Sequence, residues 1–69
     1  MITRAQLNSV RKMLHNRAAR ISQDRTYIEV RGTTRLANAA AFVADVESLE
    51  SRLGIVLVVV DPAIYDLAG

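Results

Sequence analysis

The spacing of hydrophobic residues changes several times along this chain, and each change marks an element. Leu7, Val10, Leu14, Ala18 and Ile21 recur at helical intervals with Met13 on their flank, while Asn8, Arg11, Lys12, His15 and Ala19 fall to the other side. That pattern predicts a helix over about residues 4–20 with a basic outer face. Its start is marked twice: Thr3 and Gln6 have capping-box spacing, and Ile2 and Leu7 have hydrophobic-staple spacing. Ser22, Gln23 and Asp24 are turn formers. From Arg25 to Arg31 the residues alternate, with Thr26, Ile28 and Val30 on one side and Arg25, Tyr27, Glu29 and Arg31 on the other, which predicts a half-buried strand. Residues Ala19 to Ser22 read equally as the end of the first helix or as a short hairpin partner, because the turn lacks an Asn-Gly or Asp-Gly pair.

Gly32 breaks the strand, and Thr33 or Thr34 can cap a second helix over about 34–53. Its buried arc is read as Leu36, Ala39, Val43, Val46 and Leu53, with Phe42 and Leu49 at one margin and Asn38, Asp45, Ser48 and Arg52 opposite. Gly54 stands where a left-handed residue closes a helix. The run Ile55, Val56, Leu57, Val58, Val59, Val60 does not alternate, so it predicts a strand over about 55–60 covered on both faces. Asp61 and Pro62 stop that strand and open a short helical turn over about 62–67, from which Tyr65 and Leu67 are expected to fold back as a lid. The expected fold is therefore a single α+β domain spanning residues 1–69, in helix-strand-helix-strand order. Two helices and one other strand cannot cover both faces and both edges of 55–60, so a homodimer through the sheet is expected, with Ile55, Val56, Leu57, Val58, Val59 and Val60 as the self-association residues.

Size sharpens that expectation. A chain of 69 residues buries only about 60% of the surface its unfolded form exposes. It contains no cysteine, so neither a disulfide nor a thiolate metal site compensates. Arg4, Arg11 and Lys12 interrupt any apolar stretch that could serve as an export signal, and the longest apolar run has six residues, so a cytoplasmic or virion-associated location without a membrane is expected. The net charge of +2 hides a division: residues 1–35 carry eight basic residues against Asp24 and Glu29, and residues 36–69 carry Arg52 against Asp45, Glu47, Glu50, Asp61 and Asp66. The first half suits an anionic partner, or a second copy docked head to tail.

Residue chemistry points away from catalysis. His15 is the only histidine and has no acidic residue one turn away to share a metal; Ser9, Ser22, Ser48 and Ser51 lack a base and an orienting acid. Glu47 and Glu50 read as the solvated flank of a helix, and Gly32, Gly54 and Gly69 are too scattered to cradle a phosphate. Neither an enzyme nor a cofactor is expected. Arg4, Arg11, Lys12, Arg17, Arg20 and Arg25 could contact nucleic-acid phosphates, but they surround the helix instead of forming one stripe, and Tyr27 is the aromatic available for stacking. A protein partner is favoured, with Arg4, Arg11, Lys12 and His15 on the first helix and Tyr27, Glu29 and Arg31 on the strand as candidate contacts.

The Thr-Arg start, the amphipathic first helix ending near Leu14 and His15, the strand Arg25-Thr26-Tyr27-Ile28-Glu29-Val30 and a second helix carrying Leu36, Phe42, Val46, Glu47, Leu49, Glu50 and Leu53-Gly54 resemble the lambda gpW-type head-completion proteins of tailed phages over residues 2–54. That resemblance implies a non-enzymatic virion part joining the portal to the tail. The chain departs from the family in its short segment between His15 and Glu29 and in Ile55–Val60 and the acidic end, where the family has a polar, basic tail. The eight arginines against one lysine suit a GC-rich bacterial or phage genome. Two other readings stay open: a phage accessory protein that binds and inhibits a host regulator or enzyme, and a small basic nucleic-acid-binding protein.

Overall fold

A computed structural model describes residues 1–33 and 36–68, without the side chains of 36–38. The Thr34 cap, Arg35 and the side chains of Leu36 and Asn38 lie outside the described residues. The elements run α1 (Arg4–Met13), β1 (Ala19–Ile21), β2 (Tyr27–Arg31), α2 (Leu36–Leu53), β3 (Val56–Val60) and α3 (Pro62–Ala68). This is an α+β architecture, with a three-stranded sheet in the order β1-β2-β3.

The first helix begins where its caps place it. The Gln6 amide donates to Thr3 Oγ1 at 3.2 Å, and Gln6 Oε1 accepts from the Thr3 amide at 2.8 Å. Ile2 and Leu7 are both buried beside it. Its end comes earlier than the periodicity predicts, at Met13 instead of about residue 20. His15 and Asn16 adopt positive φ, 57° and 62°, and the Asn16 amide closes the turn on the Arg11 carbonyl at 2.7 Å. Asparagine tolerates that left-handed conformation better than most residues. The chain is thereby freed to form β1, so the hairpin alternative holds and the longer helix does not.

β1 and β2 pair antiparallel, Ala19 with Val30, Arg20 with Glu29 and Ile21 with Ile28. Side chains replace the missing Asn-Gly signal in the turn between them. Buried Ser22 Oγ accepts from the Thr26 and Tyr27 amides at 3.1 and 3.2 Å and donates to Asp24 Oδ1 at 2.8 Å. Asp24 Oδ1 also takes the Thr26 amide and hydroxyl, and Arg25 turns the corner at φ 62°.

β2 and β3 run parallel in the register Tyr27–Val56 to Arg31–Val60, so their connection must cross over the sheet. The 18-residue α2 makes that crossing, and Gly54 at φ 63° ends it. Past the strand, the Gly32 amide extends the ladder to the Val60 carbonyl at 2.7 Å; a Cβ there would meet that carbonyl oxygen at 2.9 Å, so the close approach requires glycine. Val10, Ile28 and Val30 are wholly buried, and around them pack Leu7 of α1, Leu14 just past its end, Phe42, Val46 and Leu49 of α2, and Leu57 of β3. The buried face of α2 is thus centred on Phe42, Val46 and Leu49, whereas Val43, expected inside, is half exposed. The Arg17 guanidinium lies 4.5 Å over the Phe42 ring and donates to the carbonyls of Arg31 and Gly32, which fixes Phe42 at the centre of that face.

Replacing Ser22 by Ala leaves the Thr26 and Tyr27 amides without their shared acceptor. Urea unfolding should then show a loss of about 1–3 kcal/mol with little change in m-value.

Candidate interaction surfaces

The two faces of the sheet are covered by different elements. Ile28 and Val30 point toward α1 and α2, while Tyr27, Glu29 and Arg31 point to the opposite face, as their alternation predicts. That opposite face is not open to a partner throughout, because α3 folds back across it. Arg20 anchors α3: its guanidinium bonds Glu29 Oε2 at 2.8 Å, donates to the Tyr65 carbonyl at 3.2 Å and lies 4.0 Å over the Tyr65 ring. Arg31 grips both oxygens of Asp66 at 3.0 Å in a fork. Glu29 and Arg31, expected as partner contacts, are therefore half-buried and engaged within the chain, and Tyr27 is half-buried at the uncovered end of the face. Tyr65 does fold onto the sheet, whereas Leu67 points away and is 87% exposed.

These contacts shift proton affinities. The hydrogen bond that Arg20 donates to Glu29 holds Arg20 above the usual guanidinium range, and those that Arg31 donates to Asp66 do the same for Arg31. Asp66 is held below the usual carboxylate range by its bond to Arg31, and Asp24 by its bonds to the hydroxyls of Thr26 and Ser22.

Positive charge gathers at the free edge of β1. Arg4, Arg11, Arg20 and Arg25 line one shallow groove there. Arg11 donates from Nε and a terminal nitrogen to the Ala19 carbonyl, at 3.2 and 2.7 Å, and Arg25 donates to the Ile2 carbonyl at 3.3 Å. Bonds to carbonyls hold a guanidinium in place without neutralising it. Among the described residues Arg20 and Arg31 are the arginines paired with carboxylates, so Arg4, Arg11 and Arg25 keep their charge facing solvent, with Lys12 exposed on the last turn of α1. His15 sits beyond the helix, in the left-handed turn, beside a second groove lined by Leu14, Arg17, Phe42 and Asp45. Arg4, Arg11 and Lys12 thus share one surface, and His15 lies past its end.

β3 is less covered than its sequence predicts. Leu57 is buried and Ile55 and Val60 are half-buried, but Val56, Val58 and Val59 are 54%, 39% and 44% exposed. The helices and α3 therefore leave much of this strand's side-chain surface open. The Leu57 amide is held at 2.9 Å by Glu50 Oε2 from α2. Arg20, read from the sequence as a possible phosphate contact, and Glu50, read as the solvated flank of a helix, instead bond Glu29 and the Leu57 amide; both act through a tertiary register, and no local spacing marks those roles.

Among the described residues no three His, Asp or Glu side chains converge where a metal could bind, no buried side-chain polar atom lacks a partner, and no helix is long and apolar enough to cross a membrane. No family model, curated protein or solved structure matches this chain.

Two outcomes check the α3 anchor. Arg20→Ala should speed amide exchange throughout α3 while leaving β2 protected. Because the folded proton affinity of Asp66 is depressed, its contribution is present above the unfolded carboxylate value of about 4 and is lost as pH falls through the lower folded value. Tyr65 ring resonances should therefore shift during acid titration below about pH 4, and Asp66→Asn should remove that transition.

Proposed function

We propose that this chain is a small non-catalytic protein-interaction protein, phage-encoded, that docks an acidic protein surface on the basic face formed by α1 and the free edge of β1 and works as a pair of copies joined through β3. The observation that carries the reading is the pair of arginines at the β1 edge whose charge is held in place but not cancelled, Arg11 on the Ala19 carbonyl and Arg25 on the Ile2 carbonyl, with exposed Arg4 beside them. A preordered cationic surface of this kind loses little side-chain entropy when an anionic partner arrives. The order α1, β2, α2 follows the resemblance to head-completion proteins and supports a head-tail joining role; the short hairpin segment between His15 and Glu29, β3 and α3 are the parts that depart from it.

The test substitutes Arg4 and Lys12, which are exposed and bear no bond that the fold needs, with Glu. Affinity capture from the producing cell should retrieve a protein partner with wild-type chain, and the double variant should weaken that capture by about tenfold or more. Copurification with phage particles distinguishes a virion joining part from an accessory inhibitor, which would be absent from particles and would retrieve a host protein. Retention on DNA with a steep logarithmic salt slope, and no protein retrieved, would move the basic face to nucleic acid.

A further inference from the structure

β3 presents an unusual edge. A residue in a strand directs its N–H and C=O to the same side, and the Val60 carbonyl is bonded toward β2 through Gly32, so Val56, Val58 and Val60 face β2 and Leu57 and Val59 face outward. The outward Leu57 amide is the one that Glu50 holds. Side chains beside this edge are bare on both faces of the sheet: Val56 and Val58 on the α3 side, Val59 on the helix side. Exposure on one face alone would suit a covering helix. Exposure on both, along an open edge, suits an added strand.

We infer that a second copy of this chain supplies that strand, pairing β3 with β3 antiparallel about a two-fold axis at Val58, and that the Glu50 carboxylate is a latch which must leave Leu57 for the pair to form. The inference rests on the self-association in the reading above and adds its register and its control. With the axis at Val58 the whole Val56–Val60 strand overlaps: Val58 meets Val58 and Val56 meets Val60 on one face, and Leu57 meets Val59 on the other. Moving the axis one residue along the strand sets Asp61 against Leu57 or Gly54 against Val60. Leu57 and Val59 then exchange both backbone bonds with their counterparts in the other copy. The ends match in charge as well, because antiparallel pairing brings Asp61, just past the strand of one copy, toward the end of the other that follows Arg52, an exposed residue of the last turn of α2.

The two-fold arrangement also closes. It joins two three-stranded sheets into one whose outer edges are both β1, where Arg11 caps the Ala19 carbonyl and Arg4, Arg11 and Arg25 repel another such edge. Growth beyond two copies is blocked by like charge.

Sedimentation velocity on the full chain tests the pairing across micromolar to millimolar concentration. Wild-type chain should show a monomer-dimer equilibrium; Glu50→Ala should tighten it by about tenfold or more, since the carboxylate no longer competes for the Leu57 amide. Val58→Lys should leave monomer alone. Should that variant fail to fold, amide exchange in wild-type chain gives the same reading: the Val59 amide should become protected as concentration rises, while β1 amides do not change. Wild type and Glu50→Ala both monomeric at millimolar concentration would overturn the proposal, as would a dimer indifferent to Val58→Lys or exchange at Val59 independent of concentration. Absence of a dimer in wild-type chain that still captures a partner through Arg4 and Lys12 would overturn the pairing alone; a wild-type dimer whose partner capture is unaffected by the Arg4 and Lys12 substitutions would overturn the basic-face reading alone.

Discussion

Ile28 and Val30 lose all contact with solvent, and the strand that carries them is hydrogen-bonded along both of its edges, antiparallel to β1 and parallel to β3. That double pairing sets the rest of the molecule. An antiparallel neighbour can follow through a short turn, so β1 and β2 form a hairpin; a parallel neighbour cannot, so 18 residues of α2 must cross the sheet and lie against the face that Ile28 and Val30 define. α1 completes the same layer with Leu7 and Val10, joined by Leu14 at its C-terminal cap. The opposite face is left to Tyr27, Glu29 and Arg31, and a seven-residue helix covers only part of it.

A small sheet with one central strand has two edges, and this chain treats them differently. At β1 an arginine from α1 sits on an outward carbonyl and the surroundings are cationic. At β3 a glutamate from α2 sits on an outward amide, and the surroundings are aliphatic. Each guard matches the polarity of the backbone group it satisfies. The positive guard retains its charge beside a groove of further arginines, which makes that edge repel its own kind and attract anions. The negative guard stands alone on a neutral strand, so removing it exposes an edge that complements itself.

Much of this was legible in the order of residues. Thr3 and Gln6 form the cap that their spacing predicts, α2 ends at Gly54, and the alternation through Ile28 and Val30 assigns the correct faces of β2. The errors share one cause. Leu14, Ala18 and Ile21 are spaced as in a helix, yet Ala19 and Ile21 belong to β1, because pairing with β2 satisfies their neighbours' backbone groups and two left-handed residues release the chain in time. The rotated face of α2 likewise follows from Arg17 on Phe42, a contact between residues 25 positions apart. The candidate contacts divide in the same way: Arg4 and Lys12 are on open surface as their helix positions imply, whereas Glu29 and Arg31 were read as outward and are covered by α3.

Sequence by itself determined the elements that rest on neighbours within a turn or two: caps, stops, strand alternation, the uninterrupted aliphatic run and the uneven division of charge. Tertiary structure alone decided which charges remain available. Arg20, Arg31, Glu29 and Asp66 are consumed in docking α3, Arg11 and Arg25 are fixed on carbonyls with their charge intact, and Glu50 is committed to the edge of β3. Composition counts a guanidinium or carboxylate the same in every case. Whether it faces a carboxylate, a carbonyl or water depends on strand register and helix placement, which no local pattern encodes.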